Sequence, residues 1–215
     1  MALPFKTPST LLLSGPSQAG KTWFTDRLLA NVDSMFEANF ASITWCYGAV
    51  IPKLKLAGHL NIHFHQGLPD LDNFTPPSPG LIIIDDLMSE HGNVVADLFT
   101  KHSHHKNLTV IFIVQNLFHQ GKNMRDISLN SHYIVLFKSP RDRQQIQYFA
   151  RQIMPECSKE VVRVFDEATR EPHSYLLFDM TQSIPDALRI RTKIFPGEQL
   201  TVYTTQKECM QTFTL

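Results

Sequence analysis

The segment GPSQAGKT, Gly15 to Thr22, has the residue types and spacing to hold a row of phosphates. Gly15 and Gly20 permit the tight backbone curl that points successive N–H groups inward, and Pro16, Ser17, Gln18 and Ala19 complete that loop. Lys21 brings a positive charge to the β- and γ-phosphates, and Thr22 offers a hydroxyl to Mg²⁺. A helix starting at Lys21 would add the positive end of its dipole. The ligand this pattern calls for is ATP with Mg²⁺.

A second group lies at LIIIDD, Leu81 to Asp86. An apolar run ending in acid reads as a buried strand that delivers carboxylates to the C-terminal edge of a sheet, where ligands of such sheets bind. Asp85 is expected in the Mg²⁺ shell, with Asp86 placed to orient or deprotonate an attacking water. Gln115 ends another apolar run, TVIFIVQ. Beside the phosphate loop it could position water and sense the γ-phosphate; alternatively it is a polar strand end.

These residues need strands to carry them. Thr10–Ser14, Ser42–Tyr47, Ile62–His65, Leu81–Asp85, Thr109–Val114, Tyr133–Phe137 and Tyr175–Phe178 read as strands. Helices are expected at Lys21–Ala30, Asn93–Ser103, Arg143–Met154 behind an Asp142 cap, and Lys159–Thr169 behind a Ser158 cap. Leu71–Gly80, with three prolines, reads as a loop. Continuous apolar strands alternating with helices predict an α/β fold: a mostly parallel sheet with helices on both faces. Two strands lie between the phosphate loop and the strand of the acidic pair, and a Gln-tipped strand follows it. That order matches the RecA-like P-loop NTPases with an extra strand beside the phosphate loop, and it lacks the D-x-x-G and N-K-x-D of GTPases. The expected organisation is one ATPase domain over 1–184, with 185–215 as a surface tail of the same domain.

The chain has 215 residues, 20 Lys plus Arg against 20 Asp plus Glu, and 43% hydrophobic residues, so it is globular and electrically balanced. A neutral chain does not bind nucleic acid as a bulk polycation; contact would come from a local patch or an assembled ring. Cys46, Cys157 and Cys209 lack C-x-x-C spacing, which predicts a reducing compartment with no disulfide framework or zinc site. The first residues do not read as a signal peptide. The longest apolar run, Leu108 to Phe118, is short of the ~20 residues of a membrane span. A soluble, intracellular protein is expected.

GPSQAGKT, LIIIDD and above all VIFIVQNLFHQGKNMRDISLNSHYIVLFKSPRD (Val110 to Asp142) resemble the genome-packaging ATPases of the FtsK/HerA superfamily. WCYG (Trp45 to Gly48), GLPD (Gly67 to Asp70) and IFPGE (Ile194 to Glu198) extend the resemblance over nearly the whole chain. The nearest likeness is to the packaging ATPases of large eukaryotic DNA viruses, virophages, adintoviruses and Maverick/Polinton elements. The resemblance implies a ring of identical subunits that threads double-stranded DNA into a capsid at a portal vertex, in a host nucleus or viral factory. By it Lys21 and Thr22 hold phosphate and Mg²⁺, Asp85 is the Mg²⁺-side acid, Asp86 the catalytic acid and Gln115 the sensor. Many relatives carry Glu at the position of Asp86, and the shorter arm alters its reach. A trans-acting arginine is implied as well, with Arg125, Arg141 and Arg143 as candidates and the latter two favoured; each alternatively reads as a solvated surface arginine.

Other features stay open. His102, His104 and His105 in KHSHHKN read as a polar turn, as a metal site, or with Lys101 and Lys106 as a face toward DNA or a neighbouring subunit. His63 and His65 alternate as residues on one strand face do. Gln115 to Asp126 reads as a structural connection or a loop coupling nucleotide to DNA. Three function classes fit: a DNA-translocating ATPase, a small-molecule kinase whose lid draws on Arg141 and Arg143 or on Arg189 and Arg191, and a nucleotide-dependent scaffold without turnover.

Overall fold

A computed structural model describes residues 3–70, 73–103, 106–117, 122–206 and 209–214. Ten strands form one sheet: β1 Thr10–Ser14, β2 Ser42–Tyr47, β3 Ile62–Gln66, β4 Gly80–Asp85, β5 Leu108–Val114, β6 Tyr133–Phe137, β7 Tyr175–Asp179, β8 Ile190–Thr192, β9 Thr201–Gln206 and β10 Cys209–Thr214. Their order is β10-β9-β8-β7-β6-β1-β5-β4-β2-β3. Strands β6, β1, β5, β4, β2 and β3 run parallel, and β7 to β10 continue the sheet antiparallel. Parallel strands need crossovers; helices supply them after β1, β4 and β5, and irregular segments supply them after β2 and β3.

Alternation along the buried strands divides the core into two layers. Leu11, Leu13, Trp45, Ile83, Ile111 and Val135 face α1 (Lys21–Ala30) and the single turn α2 (Val32–Met35). Leu12, Cys46, Ile82, Ile84, Phe112 and Ile134 face the opposite way. There they meet α3 (Met88–Asp97), α4 (Lys122–Leu129), α5 (Gln144–Ile153) and α6 (Ser158–Ala168). Strands buried on both sides must be apolar at every position, which is why β1, β4 and β5 carry no hydrophobic alternation. Burial holds the Cys46 thiol neutral, its pKa pushed up to about 12.

The segment after Pro185, expected as a surface tail that reaches a neighbour or covers a sheet edge, covers an edge but as part of the sheet and not as a surface tail. It contributes three strands that cover the outer edge of β7, and Ile190, Leu200, Val202 and Tyr203 are buried. Short Thr-rich strands carry a weak periodic signal, and pairing rather than propensity determines them. The expected helix 93–103 begins instead at Met88 and widens into a π-turn over Leu98–His102. Ser158 opens α6 rather than capping it, whereas the Asp142 carboxylate does accept the Gln144 N–H at 3.2 Å. The helix α4 begins inside the Gln115–Asp126 stretch, which reads as a structural connection or a coupling loop, and continues past it.

Within α1, Asp26 is almost fully buried and accepts the backbone N–H groups of Lys55, Leu56 and Ala57 at 2.8–3.2 Å. This clamp ties the phosphate helix to the irregular stretch after β2. On its other side, Arg27 meets Glu198 at 2.5 Å and lies 4.3 Å above the Phe195 ring. The IFPGE stretch thus packs against the same helix.

Candidate active site

Strand β1 ends in the glycine loop because its neighbours leave no room for a side chain. A Cβ on Gly15 would lie 2.6 Å from Phe137 Cβ. The loop then turns through left-handed backbone at Gln18 (φ 64°) and Gly20 (φ 106°) before α1 starts at Lys21. The Lys21 ammonium folds back onto the carbonyl oxygens of Gly15 at 2.5 Å and Pro16 at 2.8 Å. Those bonds hold the loop closed around the place where phosphate oxygens would replace them. Burial lowers the Lys21 pKa, and the fields of Asp86 and Asp85 oppose that shift.

Strand β5 lies between β1 and β4, with Val114 beside Ser14 and Ile113 beside Asp85. Gln115 therefore emerges next to the phosphate loop, as its sequence position suggested. Asp86 leaves the strand in a left-handed conformation (φ 56°) and bonds through its N–H to the Ile113 carbonyl at 3.1 Å. A non-glycine residue held there is uncommon and is found most often where function demands it. Gln115 Nε2 donates to Asp86 Oδ2 at 2.5 Å. The two side chains expected to handle water thus form one unit.

Asp85 points toward α1 on the face of Trp45 and Ile83. Its carboxyl pKa is raised, first by burial and then by Asp86, while Lys21 and the Trp45 indole draw it down. The indole Nε1 is buried and lacks a partner of full hydrogen-bond geometry among the described residues, so its effect on Asp85 is that of a nearby dipole.

Ser17, Gln18, Gly20, Lys21, Thr22, Asp85, Asp86 and Gln115 line one open cleft of about 520 Å³. Trp23 and His173 complete the lining, and sequence reasoning assigned neither. Trp23 reads as a core position by helical spacing, yet it is 46% exposed. His173 comes from the turn before β7, which carries no spacing signal. Arg125, Arg141 and Arg143 do not line this cleft. Arg143 pairs with Asp166 of α6 at 2.5 Å and borders a larger cleft of about 640 Å³ on the far side of Gly15. That larger cleft is less suited to nucleotide chemistry, because Lys21, Thr22 and both acids lie outside it. His104, His105 and the centre of the Gln115–Asp126 stretch lie outside the described residues. His63 and His65 share one face of the edge strand β3, with ring centres 6.3 Å apart.

The cleft's donors fit Mg²⁺. Such an ion takes one or two protein oxygens and completes its shell with phosphate and water, so it needs no cluster of acids. Thr22 offers a hydroxyl, and the half-buried Asp85 offers a carboxyl that Lys21 compensates only in part. A bound ion would supply positive charge to the phosphates and to Asp85.

Two expected results follow from this geometry. Gly20→Ala adds a Cβ 2.9 Å from His173 Cβ at a φ that disfavours side chains, so ATP binding weakens by about 2 kcal/mol in calorimetry. The second concerns pH. The native Asp85 pKa lies above its ordinary 3.8, so stability falls as pH rises through the window between unfolded and native values. Mg-ATP binds the ionised form and reverses that loss. Its stabilising effect in thermal unfolding therefore shrinks as the solution is acidified through the raised pKa, and Asp85→Asn removes the pH dependence.

No protein-family model matches the chain, and no curated protein matches it in sequence. Solved structures do match in shape. The genome packaging NTPase B204 of Sulfolobus turreted icosahedral virus 2, in complex with ATP-gammaS, aligns with TM-score 0.54 at 14% identity, over 86% of this chain and 96% of that one. Its AMPPCP complex aligns at 0.57, again at 14% identity, over the same shares. The cytoplasmic domain of the Thermomonospora curvata Type VII secretion ATPase EccC aligns at 0.51 with 12% identity, over 82% of this chain and 24% of that one. Together with the strand order, these likenesses establish the fold: the chain has the fold of the P-loop NTPases, a mostly parallel mixed sheet flanked by helices.

Proposed function

We propose that this protein is an ATP-hydrolysing motor that moves double-stranded DNA into a viral capsid. The observation that carries the hydrolytic part is the Asp86–Gln115 hydrogen bond at the mouth of the phosphate cleft. A carboxylate and an amide joined there suit a water molecule as phosphoryl acceptor. The carboxylate accepts the water's proton, the amide fixes its direction, and Lys21 binds the oxygens of the transferred group. Thr22 and Asp85 would hold Mg²⁺, which would supply further charge neutralisation. The motor part is supported by the residue resemblance and by the packaging role named for the B204 neighbour.

As a motor, the chain works as a homo-oligomeric ring on a portal vertex, with one ATPase unit built from 1–184 and 185–215 together. No arginine among the described residues lines the phosphate cleft, so the cation for the γ-phosphate comes from a neighbouring copy. Arg141 is exposed and makes no ion pair among the described residues, whereas Arg143 must first leave Asp166. Arg125 is exposed on α4. Among the described residues no helix is long and apolar enough to cross a membrane. The proposed place of action is a viral factory or host nucleus.

The test is ATP hydrolysis by the purified protein with and without double-stranded DNA. Turnover that rises with DNA and disappears in Lys21→Ala supports the motor. Turnover indifferent to DNA, with phosphate passed to an added nucleoside, overturns it in favour of a kinase.

A further inference from the structure

Trp23 is out of place on the phosphate helix. Its neighbours Phe24, Leu28 and Leu29 are buried at 2% exposure or less, but its indole is 46% open to solvent. It follows Thr22 directly, so it stands one residue from the phosphate-binding end of α1. His173 is equally unexpected. It is held at φ 63°, with its Cβ against the Gly20 backbone.

These two residues are the ones shared by the phosphate cleft and an adjoining cleft of about 620 Å³. The larger cleft beyond Gly15 shares none with the phosphate cleft. A nucleotide whose phosphates rest on Lys21 and Thr22 must lead its sugar and base into one of these spaces, and the contiguous one lies past Trp23 and His173. Its walls include the aromatic side chains of Tyr175, Phe195 and Tyr203. A planar heteroaromatic base gains most from such a surface when it lies against an exposed indole.

We propose that this second cleft receives the nucleoside half of the bound nucleotide, with the base against Trp23 and the chain of atoms to the phosphates passing His173. The inference rests on the phosphate-binding reading of the first cleft. It makes Trp23 the residue that distinguishes a nucleoside triphosphate from bare triphosphate. Trp23 touches the base and takes no part in the phosphoryl step.

The test compares Mg-ATP with Mg-tripolyphosphate on the full chain by calorimetry. Trp23→Ala is expected to weaken ATP about tenfold and to leave tripolyphosphate within about twofold, with Trp23→Phe restoring most of the ATP affinity. In a Trp45→Phe background, which removes the indole beside Asp85, ATP but not tripolyphosphate also changes the emission of the exposed Trp23. Unchanged ATP affinity in Trp23→Ala overturns the proposal, as does an equal loss of both ligands. If the unaltered protein binds tripolyphosphate and Trp23→Ala binds ATP normally, only the base assignment fails. If the unaltered protein binds neither ligand, the phosphate-site reading fails with it.

Discussion

Asp86→Asn is expected to slow ATP hydrolysis roughly a hundred- to ten-thousand-fold while leaving ATP affinity within about threefold. The amide keeps the shape of the side chain and can still meet Gln115, but it cannot take a proton. Asp86 bonds to Gln115 at the rim of the cleft and leaves phosphate binding to Lys21 and the loop backbone. Gln115→Ala is expected to fall less, by about ten- to a hundredfold, since a positioning residue lacks the proton-accepting role. Because the two are hydrogen-bonded, their double variant should be little worse than Asp86→Asn alone. Single-turnover hydrolysis alongside equilibrium binding checks this. An Asp86→Asn protein that hydrolyses ATP normally would remove Asp86 from the chemistry. Asp86→Glu should retain part of the turnover, since the exposed side chain has space for a longer arm while the left-handed backbone suits Asp better than Glu.

The second large effect is on stability. Arg191→Ala is expected to cost about 3–5 kcal/mol, because it leaves a buried carboxylate without its counter-charge. Arg191 Nη2 donates to Asp179 Oδ2 at 2.6 Å, and the two side chains are 3% and 4% exposed. Asp179 Oδ1 accepts the N–H and hydroxyl of Thr181. Arg191 Nε and Nη1 have no partner among the described residues, so the pair is not fully compensated. Replacing both partners by apolar residues, Asp179→Leu with Arg191→Met, should therefore recover most of the loss. For a chain of this size the single variant lowers Tm by roughly 10 °C. Thermal or urea unfolding tests it, and a double variant no more stable than the single one would refute the account. This burial also disposes of a lid role: Arg191 is in the sheet, and Arg189 is bonded to Asp186 at 2.7 Å and to the Asp179 and Thr181 carbonyls.

Both effects bear on how far sequence reasoning reaches. That Lys21, Thr22, Asp85, Asp86 and Gln115 gather at one cleft was legible because the first two follow the glycine loop that ends β1 and the other three end apolar runs, and such runs in a parallel sheet deliver their ends to one edge. The insertion of β5 between β1 and β4 followed from the order of the runs. The α/β class and mostly parallel sheet followed from strands with no polar face. Residues of this kind are determined locally, by periodicity and by the backbone needs of a phosphate loop.

Trp23, His173 and the Arg191–Asp179 pair were not legible, and the reason is common to them. Helical spacing shows that Trp23 is apolar but not whether a neighbour covers it; the turn carrying His173 left that side open. An arginine in a charge-rich terminal segment reads as solvated until β8 pairs with β7 and buries it. The three terminal strands exist because β7 offers an unpaired edge, which is a property of the assembled sheet and not of their own weak propensity. The sequence by itself determined the phosphate loop, the acidic strand end and the layered class of the fold, since these follow from neighbouring residues. Only the tertiary structure decided what surrounds the nucleotide site and which charges are buried: the first depends on distant segments, those of Trp23 and His173, meeting at one cleft, and the second on β8 pairing back onto β7.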